Sequence, residues 1–209
     1  MSKKTDDAKR NMGFWRLLSS DIKQVTRCES SAAHKACALL LNLGFHAVLL
    51  YRVSKWLSEH SLRAIAVVIS YFSAILTGAQ ISHGAKIGKG FVVYHPQGIV
   101  IGYTSIIGER CHLTSGVVIG QRHGGGDRPC IGDDFYAGTG AKILGRIFIG
   151  DSVKVGANSV VLDSIPSGAT VVGNPARIVK MQTPVYHGYS FQSKNIDSTM
   201  DEFLVVHHQ

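Results

Sequence analysis

Charge is scarce in this chain. Only 17% of its 209 residues are Asp, Glu, Lys or Arg, against 45% hydrophobic, a balance that excludes an intrinsically disordered protein. Proline is scarcer, at 5 residues, while glycine reaches 23. Many glycines with few prolines point to tight backbone turns and exclude collagen-like sequence. The four cysteines, Cys28, Cys37, Cys111 and Cys130, form no CxxC pair and no Cys/His cluster at metal-ligand spacing. They read as reduced thiols, and no metal site is expected. The chain also lacks an uninterrupted apolar run of the ~20 residues that span a bilayer. Ala64–Leu76 is too short, and Ala36–Val53 is interrupted by Asn42, His46 and Arg52, so both read as buried helices. The polar stretch Met1–Arg10 has no apolar core of the signal-peptide kind, and the expected location is cytoplasmic.

Charge of one sign is in surplus: the formal net charge is +8. Lys3, Lys4, Lys9, Arg10, Arg16, Lys23 and Arg27 crowd the start. Such a surplus suits nucleic acid, a membrane surface, a phosphorylated small molecule or plain solvation. No nucleic-acid motif accompanies it, and DNA and RNA are not expected partners.

The chain divides near Leu76–Ile81. Before that point the apolar spacing is helical, from Phe14, Trp15, Leu17 and Leu18 through Ile22 and Val25. Ala32–Leu41 is rich in the strong helix formers Ala and Leu, and Gly44 is expected to end or break that helix. Phe45–Leu57 and Leu62–Leu76 read as two more, joined by the polar turn Ser58–Ser61.

Beyond the division a six-residue period takes over. Aliphatic residues stand at Ile81, Ile87 and Val93 and, after a two-residue slip, at Ile101, Ile107, Leu113 and Ile119. They resume at Ile131, Ala137, Ile143, Ile149, Val155 and Val161, and glycine often follows directly, as at Gly102, Gly108, Gly132, Gly138 and Gly150. A fixed period of this kind marks a solenoid, with about three hexads closing one triangular rung. Each aliphatic side chain points into the prism and stacks on its counterparts above and below, while glycine, lacking a Cβ, permits the corner. The expected fold is α+β: a helical N-terminal domain over 1–78, a left-handed parallel β-helix of hexapeptide repeats over 79–179, and a tail over 180–209.

The period fails over Gly120–Cys130, where Gly125 takes an aliphatic place. This stretch reads as a loop leaving the coil, and a loop on a rigid scaffold is a common carrier of function. It offers Arg122, His123, Asp127 and Arg128.

With these segments in view, the chain resembles the serine acetyltransferases and the related polysaccharide O-acetyltransferases. The resemblance runs from about Phe14 to Val179. It rests on GFHAVLLYRVSKWL at 44–57, GAKIGKGFVVYHPQGIVIG at 84–102, GTGAKILGRIFIG at 138–150 and VGANSVVLDSIPSGATVVGNPARIV at 155–179. It implies acetyl-CoA as acetyl donor and a histidine general base, here His95 in Tyr94–His95–Pro96–Gln97–Gly98. A hydroxyl attacks poorly until its proton is taken, and an imidazole, titrating near neutral pH, suits that task.

Three positions depart from the family pattern. The acidic partner of the histidine corresponds to Gln80, which orients a ring but supplies no charge. The acid preceding the histidine, which holds the serine amino group, is Tyr94. The loop motif Gly-Asp-Arg-His-Pro is reduced to Gly126–Asp127–Arg128–Pro129, keeping the arginine without its histidine; His123 is a candidate substitute. A tyrosine suits a sugar ring, with one apolar face and one hydroxyl.

The leading expectation is therefore O-acetylation of a sugar or polysaccharide precursor. Serine O-acetylation is the alternative, and a non-catalytic hexapeptide scaffold the second. Transfer is expected to be direct, since no cysteine neighbours His95 in the motif. Asp127 and Glu109 are candidates to offset the missing carboxylate at Gln80. The resemblance further implies a donor groove between subunits, lined by Gly140, Ala141, Ala157 and the segment 173–177. Arg177 and Lys180 are candidate phosphate partners. It implies a homotrimer, with pairing of trimers into a hexamer. The apolar helices suit that pairing or a weak peripheral membrane association.

Overall fold

A computed structural model describes residues 3–27, 29–123 and 126–181; Gly124, Gly125, Cys28 and the tail from 182 onward lie outside the described residues. Four helices come first: α1 (Lys3–Val25), α2 (Ala32–Leu41), α3 (Leu43–Glu59) and α4 (Arg63–Thr77). Short strands follow: β1 (Gln80–Ile81), β2 (Lys86–Ile87), β3 (Val92–Val93), β4 (Val100–Ile101), β5 (Ile106–Ile107), β6 (His112–Leu113), β7 (Val118–Gly120), β8 (Cys130–Ile131), β9 (Tyr136–Ala137), β10 (Lys142–Leu144), β11 (Phe148–Ile149), β12 (Lys154–Val155), β13 (Val160–Val161), β14 (Ala169–Val172) and β15 (Arg177–Met181).

The strands stack into three sheets, β1-β4-β7-β10-β13, β2-β5-β8-β11 and β3-β6-β9-β12-β14-β15. Up to β13 every third strand pairs in parallel, as the six-residue period requires, and β14 then pairs in parallel with β12. The register is in phase: Ile101 lies over Ile81, Ile119 over Ile101 and Ile143 over Ile119. These side chains, with Ile107, Ile131, Ile149, Leu113 and Val155, are fully enclosed. Each such burial stabilises by ~1.5–3 kcal/mol. At the top, β15 turns back antiparallel on β14, ending the stack with a different pairing.

The repeat glycines serve a different purpose from a left-handed backbone. A Cβ on Gly138 would meet Ala157 N at 2.8 Å, and one on Gly88 would meet Gly108 O at 2.6 Å. They permit close approach between rungs. The left-handed residues sit two positions further on, and include Arg110, Asp134 and Ser152 with φ of 55°, 55° and 56°.

The helical segment departs from expectation at two points. Asn42, not Gly44, separates α2 from α3; its side chain accepts from Phe45 N at 3.0 Å. Gly44 lies inside α3 because its Cα presses on the Val93 carbonyl, where any Cβ would collide. The apolar runs in α2 and α4 are not buried within the chain: Leu40, Leu41, Val68, Tyr71, Phe72 and Ile75 are exposed. No single described helix is long and apolar enough to cross a membrane.

Helix α3 is fastened to the first rung by the Tyr51–Arg52 pair of the motif. Tyr51 donates to Ala85 O at 2.8 Å, and Arg52 donates to Ile87 O and Gly88 O, each at 2.6 Å. Arg52 also meets Asp21 of α1, whose Oδ1 accepts from Phe91 N at 2.9 Å. One buried guanidinium thus ties two helices to the coil.

Candidate active site

His95 sits at the corner between β3 and β4, in the turn that the two-residue slip creates. It lines a cleft of about 410 Å³ with Tyr94, Pro96 and Gln97 from the coil and Cys37, Leu41, Asn42 and Leu43 from the α2–α3 junction. The first rung supplies one wall and the helices the other. Gly44 sets their spacing, because its contact with Val93 stands directly before Tyr94.

Tyr94 is half exposed, and its hydroxyl lies 3.0 Å from His112 Nδ1, one rung up on the outer face of the same sheet. Burial pulls the His112 imidazole below its ordinary pKa, against the opposing pull of Asp134. With its proton on Nε2, a neutral His112 accepts a hydrogen bond from the Tyr94 hydroxyl at Nδ1, which holds the phenol in place and leaves its oxygen lone pairs for a ligand.

Gln80, the counterpart of the acidic partner, lies on the exposed outer face of β1. Among the described residues neither Gln80 nor His95 makes a side-chain hydrogen bond to the other. Glu109 does not offset the missing carboxylate. It pairs with Arg110 and Lys89 at 3.0 and 3.1 Å, at the corner between the second and third sheets.

The loop residues are likewise separate from His95 within one protomer. The loop leaves the corner after β7, between the first and second sheets, whereas His95 occupies the corner between the third and first. Thr104 Oγ1 donates to Asp127 O at 3.5 Å, tying the loop to the rung beneath, and Arg122 packs beside Gly145. Arg122 and His123 are exposed; Asp127 and Arg128 are half-buried. Arg128 lies near enough to Cys130 to oppose the upward push that burial gives its thiol.

The residues expected along the donor groove fall on the same edge as His95. Successive turns stack there rung by rung: Gly116 N donates to Gln97 O at 2.9 Å, Gly140 N to Ser115 O at 2.8 Å, and Asn158 N to Thr139 O at 2.8 Å. Gly98, Gly116 and Gly140 leave this edge without side chains, and Ala157 is exposed on it. At ~4.8 Å per rung, the edge above His95 offers roughly 15 Å to an extended ligand, so it fits a long, narrow donor such as acetyl-CoA. Ala141 is a correction: it is fully buried inside the coil and contributes only backbone. Arg177 and Lys180 are exposed on β15 at the top, and Arg177 makes a loose contact with Asp163 at 3.9 Å.

Cys37 went unread as a site residue. Its helix reaches the cleft only through tertiary packing, far from His95 in the chain. His112 was missed for the same reason, since only rung stacking sets it beside Tyr94. No group of three His, Cys, Asp or Glu able to hold a metal ion occurs among the described residues.

No protein-family model matches the chain. Individual proteins do. A serine acetyltransferase of Helicobacter pylori is 39% identical over 164 residues, covering 78% of this chain and 96% of that protein. One from Synechococcus elongatus is 37% identical over 168 residues, covering 79% and 69%. Among solved structures, soybean serine acetyltransferase complexed with serine superposes with a TM-score of 0.74 at 36% identity, covering 79% and 69%. The Brucella abortus enzyme gives 0.77 at 31% identity, covering 84% and 72%. With this likeness spanning both the helices and the coil, the chain belongs to the serine acetyltransferase family, acetyl-CoA-dependent O-acetyltransferases built on a left-handed β-helix.

Proposed function

We propose that this chain transfers the acetyl group of acetyl-CoA to the hydroxyl of L-serine. The observation that carries the reading is the 39% identity extending over 96% of the Helicobacter pylori serine acetyltransferase. The saccharide acceptor preferred from the sequence alone finds no support among these relatives, which are named serine acetyltransferases.

His95 takes the proton of the acceptor hydroxyl as its oxygen bonds to the thioester carbonyl carbon. The carbon–sulfur bond breaks, and His95 returns the proton to the departing thiolate. The bound donor supplies an activated acetyl group; the protein supplies position and proton transfer. Asn42 and Gln97 line the same cleft as His95 and offer amide groups to orient the acceptor.

A complete site calls for a second protomer. His95 and the loop bearing Arg122, His123, Asp127 and Arg128 occupy different corners of one prism. Two prisms side by side in a closed ring bring one corner of each kind together. A trimer of this sort gives the serine carboxylate the cationic groups that the His95 cleft lacks.

One observation favours a second reading. The cleft lining contains no carboxylate to meet an ammonium group, and Tyr94 presents a half-exposed ring. That surface suits a neutral saccharide hydroxyl. The deciding experiment measures CoA release from acetyl-CoA with L-serine and with a panel of sugars and nucleotide sugars, using His95→Ala as control. Serine-dependent release that falls ~10²–10⁴-fold in the variant supports the proposal. Release with a saccharide but not with serine overturns it in favour of the second reading.

A further inference from the structure

The cleft beside His95 is not the largest. Another, of about 570 Å³, lies between the α3–α4 turn and the first two rungs, at the corner between the first and second sheets. Its lining includes Lys55, Glu59, Ser61, Arg63, His83 and Tyr103, none with a part in acetyl transfer as described above.

Positive charge dominates this lining. The Lys55 side chain is only 21% exposed, and its ammonium donates to Ala85 O at 3.1 Å and meets Glu59 at 3.5 Å. One of its three protons is left without a partner among the described residues. Arg63 makes no ion pair among them. Burial lowers the His83 imidazole below its ordinary pKa, and the neighbouring Lys55 and Arg63 charges lower it further. Two basic groups thus face one carboxylate and a ring biased toward its neutral form, and burial also lowers the Lys55 ammonium below its ordinary pKa, which favours an anionic partner there.

The frame around these groups is firm. The Tyr103 ring stands edge-on to His83, with centroids 5.3 Å apart at 86°. It also lies over Gly84, where any Cβ would collide with it. Ser61 and Arg63 flank Leu62, the N-cap of the 15-residue helix α4, which has no side-chain cap. Its first amide groups add partial positive charge on the side of the cation pair.

We infer that this cleft binds a phosphate group, with Arg63 and Lys55 as its charged partners and the Ser61 hydroxyl as a neutral donor. Arginine pairs with phosphate through two parallel donors, and lysine contributes a point charge. The phosphate can belong to a soluble monoester or to a phospholipid headgroup. Helix α4 leads away from the cleft with Val68, Tyr71, Phe72 and Ile75 exposed, a surface able to rest among acyl chains. The inference is independent of the acceptor, because the cleft lies on a different edge from His95.

The test follows the His83 imidazole by NMR during titration with inorganic phosphate, in the wild type and in Arg63→Ala. Arg63 is exposed and makes no ion pair among the described residues, so its loss leaves the fold intact; Lys55→Gln is the second variant. A parallel arm measures co-sedimentation with phosphatidylcholine vesicles, with and without phosphatidylglycerol, and uses Lys154→Ala on the coil as a charge-matched control. A saturable upward shift of the His83 pKa, weakened at least ~10-fold in Arg63→Ala, supports a soluble phosphate. Silence with inorganic phosphate, but retention on phosphatidylglycerol vesicles that Arg63→Ala loses and Lys154→Ala keeps, supports a headgroup. A response to either probe that is equal in wild type, Arg63→Ala and Lys55→Gln overturns the inference, as does no response to both.

Discussion

The Arg52 guanidinium meets the Asp21 carboxylate at 2.9 Å, with both side chains sealed from solvent where α1, α3 and the first rung converge. Arg52 also donates to Ile87 O and Gly88 O, and Asp21 also accepts from Phe91 N. Breaking one side of such a pair strands a buried charge. Arg52→Met should cost ~3–5 kcal/mol of apparent stability, and Asp21→Asn less, because an amide oxygen still accepts from Phe91 N. Urea melts of both variants and of the double variant measure the coupling; additive losses would show that the pair is not a unit.

Tyr94 and His112 make a second prediction. If the phenol oxygen contacts the acceptor, Tyr94→Phe should raise the acceptor KM by ~2–13-fold with little change in kcat, the equivalent of ~0.5–1.5 kcal/mol for one hydrogen bond. His112→Ala should produce a smaller shift in the same direction, because it frees the phenol without removing it. Steady-state kinetics at saturating acetyl-CoA separates the two parameters. An unchanged KM in both variants would remove Tyr94 from acceptor binding.

Cysteine reactivity should report on the cleft. Cys37 is exposed and lines the space beside His95. Cys111 and Cys130 are buried; burial pushes the Cys111 thiol up to about 12 and the Cys130 thiol upward. The thiolate is the reactive form, so at pH 8 both buried thiols stay protonated and shielded. A maleimide should therefore label Cys37 ahead of Cys111 and Cys130, as mapped by peptide mass spectrometry. The adduct should block acetyl transfer, Cys37→Ser should resist that block, and saturating acceptor should slow labelling. Full activity after complete labelling of Cys37 would show that the cleft is not on the acceptor's path.

Shared sites can be tested by mixing. His95→Ala and Arg128→Ala protomers should each be inactive or nearly so alone. Assembled together at random in a ring, they should restore about a quarter of the wild-type sites, since one corner in two of each kind is intact. Activity no higher than that of the separate variants would place base and loop in the same protomer's site.

Much of this was legible in the chain itself. The six-residue period marked one inward residue per hexad from Ile81 to Val161, because a side chain at that place must be small enough to enter the prism and apolar enough to remain there; the second inward place, two residues earlier at Phe91, Ile99, Val117, Phe135 and Ala141, went unmarked because its size varies from Ala to Phe. The slip before Ile101 marked the turn that carries His95, and the failure at Gly125 marked a loop. Helices α2, α3 and α4 could be placed to within a few residues from their apolar spacing, but α1 begins at Lys3, well before the apolar stripe at Phe14, and Gly44 was misread as a helix end. A glycine needed for a close approach looks in sequence like a glycine needed for a turn.

Residues far apart in the chain met only through tertiary packing. The six-fold period states that a rung closes, but not which helix lies against it, so Cys37 and Asn42 carried no sign of their place beside His95. Rung stacking set His112 at Tyr94 and assigned Glu109 to Arg110 and Lys89. Opposite corners of one prism kept the loop's Arg128 away from His95. The sequence by itself determined the coil, the candidate base and the acetyltransferase class, because those depend on local period and motif. Only the tertiary structure decided which side chains share a cleft, because that depends on how α2 and α3 dock on the first rung and on which edge each turn falls.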